Sequence, residues 1–132
     1  MPVALQFGDI VDIRSARDIN GGRKLKIAVC VETNEYWFFY INSKHYSFAA
    51  DSTIEIRPEY LDRITHKSYL DMHSVKTADI AEIESINREQ IYRFNDSALY
   101  QTMMYKIQSS RLLSKEQKDK IMACYNQANA TK

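Results

Sequence analysis

The densest run of reactive side chains is Thr65-His66-Lys67-Ser68-Tyr69-Leu70-Asp71-Met72-His73. It joins a proton carrier that titrates near neutral pH, a cation, hydroxyls and a carboxylate. Cleavage of RNA without a metal needs few parts. A base removes the 2′-hydroxyl proton, an acid protonates the leaving 5′-oxygen, and cations stabilise the charged phosphorane. His66 can serve as acid or base, Lys26 or Arg23 as the stabilising cation, and Lys67 as a phosphate contact. Ser68 and Asp71 can position the substrate or the histidine. A plainer reading of the run is a polar loop entering a strand whose Tyr69 and Leu70 pack inward. A second basic group, Arg17, Arg23, Lys24 and Lys26, brackets Gly21-Gly22. Such a loop can follow a phosphate backbone; it can equally be a solvated hairpin turn.

Other chemistries find little footing. His45, His66 and His73 are the only histidines, and no two have the i, i+4 spacing of a helical zinc site. Asp71 and His73 are two apart and share one face of a strand. No metal site and no cofactor are expected. Gly21-Gly22 lacks the further residues of a P-loop, and no GxGxxG is present. Cys30 lies in an apolar strand and Cys124 on the apolar face of a helix, the places of inert buried thiols. The aromatic run Tyr36-Trp37-Phe38-Phe39-Tyr40 suits a core strand. Alternation buries one set and leaves the other near a groove or a partner, where it could stack bases.

The elements that must position these groups change character along the chain. Strand patterns cover Asp9–Arg14, Leu25–Val31, Tyr36–Ile41, Ser52–Ile56 and Ser68–Val75, with Ile80–Ile83 as one more short strand. Gly8 leads the first strand, and a bulge there accounts for its irregular alternation. Thr33-Asn34-Glu35 reads as a hairpin turn. From Ile86 the period becomes helical. Asn87-Arg88-Glu89-Gln90 resembles a capped start, Asn95-Asp96-Ser97 precedes Leu99, Met103 and Ile107, and Ser114-Lys115-Glu116-Gln117 is a capping box. The last helix carries Ile121, Cys124, Tyr125 and Ala128 on one face. A single domain over 1–132 is expected, mainly β with C-terminal helices: a small antiparallel barrel over about 5–85 and a helical end over about 86–130.

Composition fits that reading. The 132 residues are 45% apolar and 27% charged, which is ordinary for a globular domain. Eighteen basic residues against seventeen acidic ones exclude a binder driven by bulk positive charge, though not a local patch. Two cysteines cannot make a disulfide framework or a cysteine-rich zinc site. No basic leader and no long apolar run are present, so a cytoplasmic protein without membrane contact is expected.

The order of elements resembles the PemK/MazF-like toxin family, in a divergent branch. The resemblance is carried by Gly8-Asp9-Ile10-Val11, the basic Gly-containing loop, Lys26-Ile27-Ala28-Val29-Cys30-Val31 and Tyr40-Ile41-Asn42-Ser43. His66-Lys67-Ser68-Tyr69-Leu70-Asp71 and the stretch Ser109 to Ile121 extend it, so it spans about residues 8 to 125. It implies an SH3-like barrel, a homodimer, and a metal-independent endoribonuclease that cuts single-stranded RNA and is restrained by a small antitoxin. Where the better-known branch has a strand-initial Arg-Pro and a Ser or Thr ending the third strand, this chain has Lys26-Ile27 and Asn42-Ser43. On this footing Lys26, Ser43, His66, Ser68 and Asp71 are expected to be catalytic, and Arg17, Arg23, Lys24 and Lys67 to bind RNA. The alternative is a non-catalytic binding module on the same barrel. Alternation turns Lys26 away from Ile27, Val29 and Val31, so it is expected to face solvent or a groove and to be dispensable for stability.

Overall fold

A computed structural model describes residues 4–13, 24–32, 35–43, 52–78 and 80–130. Five strands come first: β1 (Ile10–Ile13), β2 (Lys24–Glu32), β3 (Glu35–Asn42), β4 (Thr53–Ile56) and β5 (Ser68–Thr77). Three helices follow: α1 (Ile80–Glu84), α2 (Ala98–Ser109) and α3 (Lys115–Ala130). The strands form one antiparallel sheet in the order β1-β2-β3-β5-β4. The protein is therefore α+β, with a five-stranded antiparallel sheet and C-terminal helices. The sheet is open: β1 and β4 stand at its two edges and do not pair, so the described strands do not close a barrel.

The β-branched and aromatic content of β2 and β3 suits a central position, because these side chains pack on a pleated surface buried from both sides. One face, with Ile10, Ile27, Phe39, Ile41, Ile54 and Leu70, packs against Met103, Met104 and Ile107 of α2 and Ile121 of α3. The other face carries a smaller cluster in which Val11, Ile13, Ala28 and Phe38 meet Leu5, Ile83 and Ile86. Adjacent Phe38 and Phe39 are thus both fully buried, one on each face. Alternation does not leave one aromatic set in the open, because both faces are covered. A shift of register between Ala28 and Cys30 brings Val31 onto the second face, with Ala28, and not with Ile27 and Val29 as strict alternation expects.

Two local expectations are corrected. Ile80–Glu84 is a short helix, not a strand. Asn87 to Gln90 forms one 3₁₀ turn rather than opening a long helix, although the Gln90 side chain does accept from the Asn87 backbone N–H at 2.7 Å. The start of α2 is held by Asp96, whose carboxylate accepts from the Ala98 N–H at 2.9 Å. Ser114 and Gln117 form the expected reciprocal pair at the start of α3, at 3.1 and 3.0 Å.

The residues just before β1 are locked to the chain between the sheet and α2. Ile10 and Tyr92 exchange two backbone hydrogen bonds of 2.8 Å. Asp9 accepts from Arg93 at 2.8 Å, and the Tyr100 hydroxyl donates to the Gly8 carbonyl at 3.0 Å. Burial raises the Tyr100 phenol above its usual range, and the neighbouring Asp9 acts in the same direction. Gly8 sits at φ +90°, and a Cβ there would lie 2.8 Å from the Tyr100 ring. No helix among the described residues is long and apolar enough to cross a membrane.

Candidate functional site

One row of side chains crosses the whole sheet. Val11 pairs with Lys26, Lys26 with Tyr40, Tyr40 with Asp71, and Asp71 with Thr53. Lys26 and Tyr40 share the face that carries Ala28 and Phe38, the face away from α2 and α3. The Tyr40 ring gathers three ammonium groups, with Lys24 at 4.6 Å, Lys76 at 5.0 Å and Lys26 at 5.1 Å from its centroid. The negative face of an aromatic ring attracts cations electrostatically. The Asp71 carboxylate lies on the next strand of the same row, directly across from Tyr40.

Lys26 does not face solvent. It is fully buried, and its ammonium donates to the carbonyls of Ile13 and, at 3.3 Å, of Lys24. The alternation argument chose the correct face, but that face is covered. A buried ammonium must spend its donors on protein acceptors, and this one is anchored in the sheet.

Beside Tyr40, Asp71 is 5% exposed and fully engaged. Its Oδ1 meets the His73 ring Nδ1 and accepts from the His73 backbone N–H at 3.2 Å, while its Oδ2 accepts from the Asn42 side-chain amide at 3.4 Å. The shared strand face of Asp71 and His73 is therefore realised as a direct contact.

Asn42 links this pair to a cleft of about 480 Å³ at the end of the sheet where β2 begins, β3 ends and β5 begins. Lys24, Asn42, Ser43, Arg63, His66 and Ser68 are among its lining residues. Four expected site residues, Lys24, Ser43, His66 and Ser68, are thus brought together from three strand ends. Ser43 and His66 are exposed. Ser68 is buried, and its hydroxyl donates to the His66 carbonyl at 3.4 Å. Arg63 and Asp12 pair across the cleft wall at 3.1 Å. Lys67 lies away from the cleft lining and pairs with Glu55 at 3.4 Å. Lys26 and Asp71 belong to the adjoining row, not to the cleft. Arg17, Arg23 and the Gly21-Gly22 turn lie outside the described residues.

Lys76 and Arg63 were not singled out as site features from the sequence, Tyr40 stood only in the aromatic run and the third-strand element, and His73 only as sharing a strand face with Asp71. His73 carried a signal, because it stands two residues from Asp71 on a strand. The meeting of Lys76 with Tyr40 carried none, since only sheet register makes them neighbours.

The thiols of Cys30 and Cys124 touch across β2 and α3. Burial pushes the Cys30 thiol up to about 12, with the neighbouring Cys124 adding to the rise. Both are free, and Cys30 is held as an un-ionised thiol unsuited to nucleophilic attack. Among the described residues no three His, Cys, Asp or Glu side chains gather as a metal-ligand set. The chain matches no family model, no curated protein and no solved structure.

Proposed function

We propose that this chain is a metal-independent endoribonuclease that cuts single-stranded RNA, the toxic member of a toxin–antitoxin pair on a PemK/MazF-like, SH3-related scaffold. In that role it works as a homodimer restrained by a small antitoxin protein. The observation that carries the reading is the convergence of Lys24, Ser43, His66 and Ser68 on one cleft, beside the lysine-ringed Tyr40 and the Asp71–His73 pair. Cations hold a phosphodiester, hydroxyls orient it, and an imidazole moves the proton. Lys24 takes over the cationic part first assigned to Lys26, because it lines the cleft and Lys26 is buried. A lysine acts there as a point charge, without the bidentate fork of an arginine.

The test is direct. Purified protein in EDTA should cut a long unstructured RNA and leave 2′,3′-cyclic or 3′-phosphate ends. Cleavage that requires an added divalent metal would end the metal-free mechanism. A second reading, a non-catalytic binding module, is favoured by the burial of Lys26, which removes a cation from the reacting surface. RNA that is bound but never cut, with toxicity on expression retained, decides for it.

A further inference from the structure

We propose that Cys30 and Cys124 are a reversible disulfide-forming pair: hydrogen peroxide oxidises Cys124 from a surface cavity, Cys30 closes the disulfide from within the core, and the bond staples α3 to β2. The proposal is independent of the ribonuclease reading above.

Several contacts seat Cys124 over Cys30. Cys30 pairs across the ladder with Trp37, and directly opposed residues of an antiparallel pair share a face. Trp37 and Cys124 both pack against the larger core cluster, on the face that α3 covers. The shift of register between Ala28 and Cys30 lets the consecutive residues Val29 and Cys30 serve that same face. Lys120 stands one turn before Cys124 on α3, so the two are neighbours on the helix surface. Its ammonium lies 5.0 Å from the centre of the Trp37 ring and 3.6 Å from the carboxylate of Glu32, two residues beyond Cys30. The thiols themselves touch. Two cysteines can be bridged only where their side chains face each other, and these meet tip to tip.

The two sulfurs are not equivalent. Cys30 is fully buried, whereas Cys124 is half-buried and lines a cavity of about 200 Å³ with Leu5, Phe7, Val31 and Gln127. Gln6 and Gln127 are exposed at its rim. A small oxidant therefore reaches Cys124 first. Oxidation follows access, and a sulfenic acid formed beside a second thiol is trapped as a disulfide before it oxidises further. Burial, with Cys124 adding to the effect, pushes the Cys30 thiol up to about 12. Cys30 is thus a poor nucleophile toward solvent, but proximity favours its reaction with a sulfenic sulfur held against it.

The steps balance. The Cys124 sulfur bonds to one peroxide oxygen as the oxygen–oxygen bond breaks, and the thiol proton leaves on the other oxygen as water. Cys124 is then a sulfenic acid. The Cys30 sulfur bonds to the Cys124 sulfur as the sulfur–oxygen bond breaks, and the departing hydroxide takes the Cys30 proton as a second water. Cys30 need not ionise in advance. One peroxide is reduced while two thiols are oxidised to one disulfide.

The experiment treats the reduced, purified protein with hydrogen peroxide and reads it before and after dithiothreitol. Intact mass should fall by two hydrogens, and a non-reducing digest should yield the Cys30 and Cys124 peptides joined. The melting temperature should rise by roughly 5–10 °C, because closing the long loop from residue 30 to residue 124 restricts the unfolded chain. Dithiothreitol should reverse all three. Cys30→Ala should leave a sulfenic acid on Cys124 that dimedone captures, and Cys124→Ala should leave Cys30 unlabelled. Thiols that stay reduced, a Cys124 that passes to sulfinic acid without a cross-link, or a disulfide formed only between two chains each overturn the proposal. Dimedone on Cys30 of Cys124→Ala overturns Cys124 as the point of entry. Should either variant fail to fold, the mass and digest of the parent decide.

Discussion

Lys26 occupies the middle row of the sheet with its charge buried and its ammonium bound to backbone carbonyls. Its stem packs as a hydrophobic side chain would. Removing the whole side chain opens a cavity and strands the Ile13 carbonyl. Lys26→Ala should therefore cost about 2–4 kcal/mol, in the range of large-to-small core changes. Lys26→Met, which keeps the stem, should cost less. Urea denaturation of the two variants reads this, and a Lys26→Ala protein as stable as the parent would show that the ammonium is not anchored. The surface estimate fails here because alternation says which face a residue takes, not whether that face is covered.

At the level of elements, the tightest junction is Gly8 against Tyr100 and Arg93. Gly8→Ala forces a side chain into a left-handed backbone position and into the Tyr100 ring. It should cost at least about 2 kcal/mol, as changes at special backbone positions do, and thermal melting checks it. An alanine variant that melts with the parent would mean this junction yields freely. Much of the element pattern was legible. The strands of β2 and β3 show in their β-branched and aromatic runs, and the Ser114–Gln117 box announces α3, because such signals are local. Ile80–Glu84 was misread, since five residues are too few to separate a strand period from a helical one. Individual members of the candidate site were legible, Lys24 and Ser43 included, but their proximity was legible only where the parts are close in sequence. His66, Ser68, Asp71 and His73 lie within one run, whereas Tyr40, Lys24 and Lys76 meet only through strand pairing.

Across the whole molecule, the larger core cluster joins residues from Phe7 to Ile121, and Trp37 packs against it beneath the Lys120 ammonium, 5.0 Å from its ring. A cluster shared by the sheet, α2 and α3 implies that helices and sheet unfold in one cooperative transition. Unfolding followed by fluorescence of Trp37, the only tryptophan, should coincide with unfolding followed by far-ultraviolet circular dichroism. Two separated transitions would show that the helices melt away from the sheet.

The bridge from Ile10 to Tyr92 has a consequence for how the chain is made. Residues 8–10 pair with Ile27 and Ala28 on one side but find their partners on the other only at 92–100, and the inner face of the sheet waits for Ile121. A growing polypeptide can therefore pair β2, β3 and β5 on the ribosome while its first strand still has an open edge and its apolar face is bare. Contacts this distant in sequence form slowly and leave partly folded species prone to association. The fold is thus completed late, when α3 seats on the sheet and Tyr92 covers the open edge of β1.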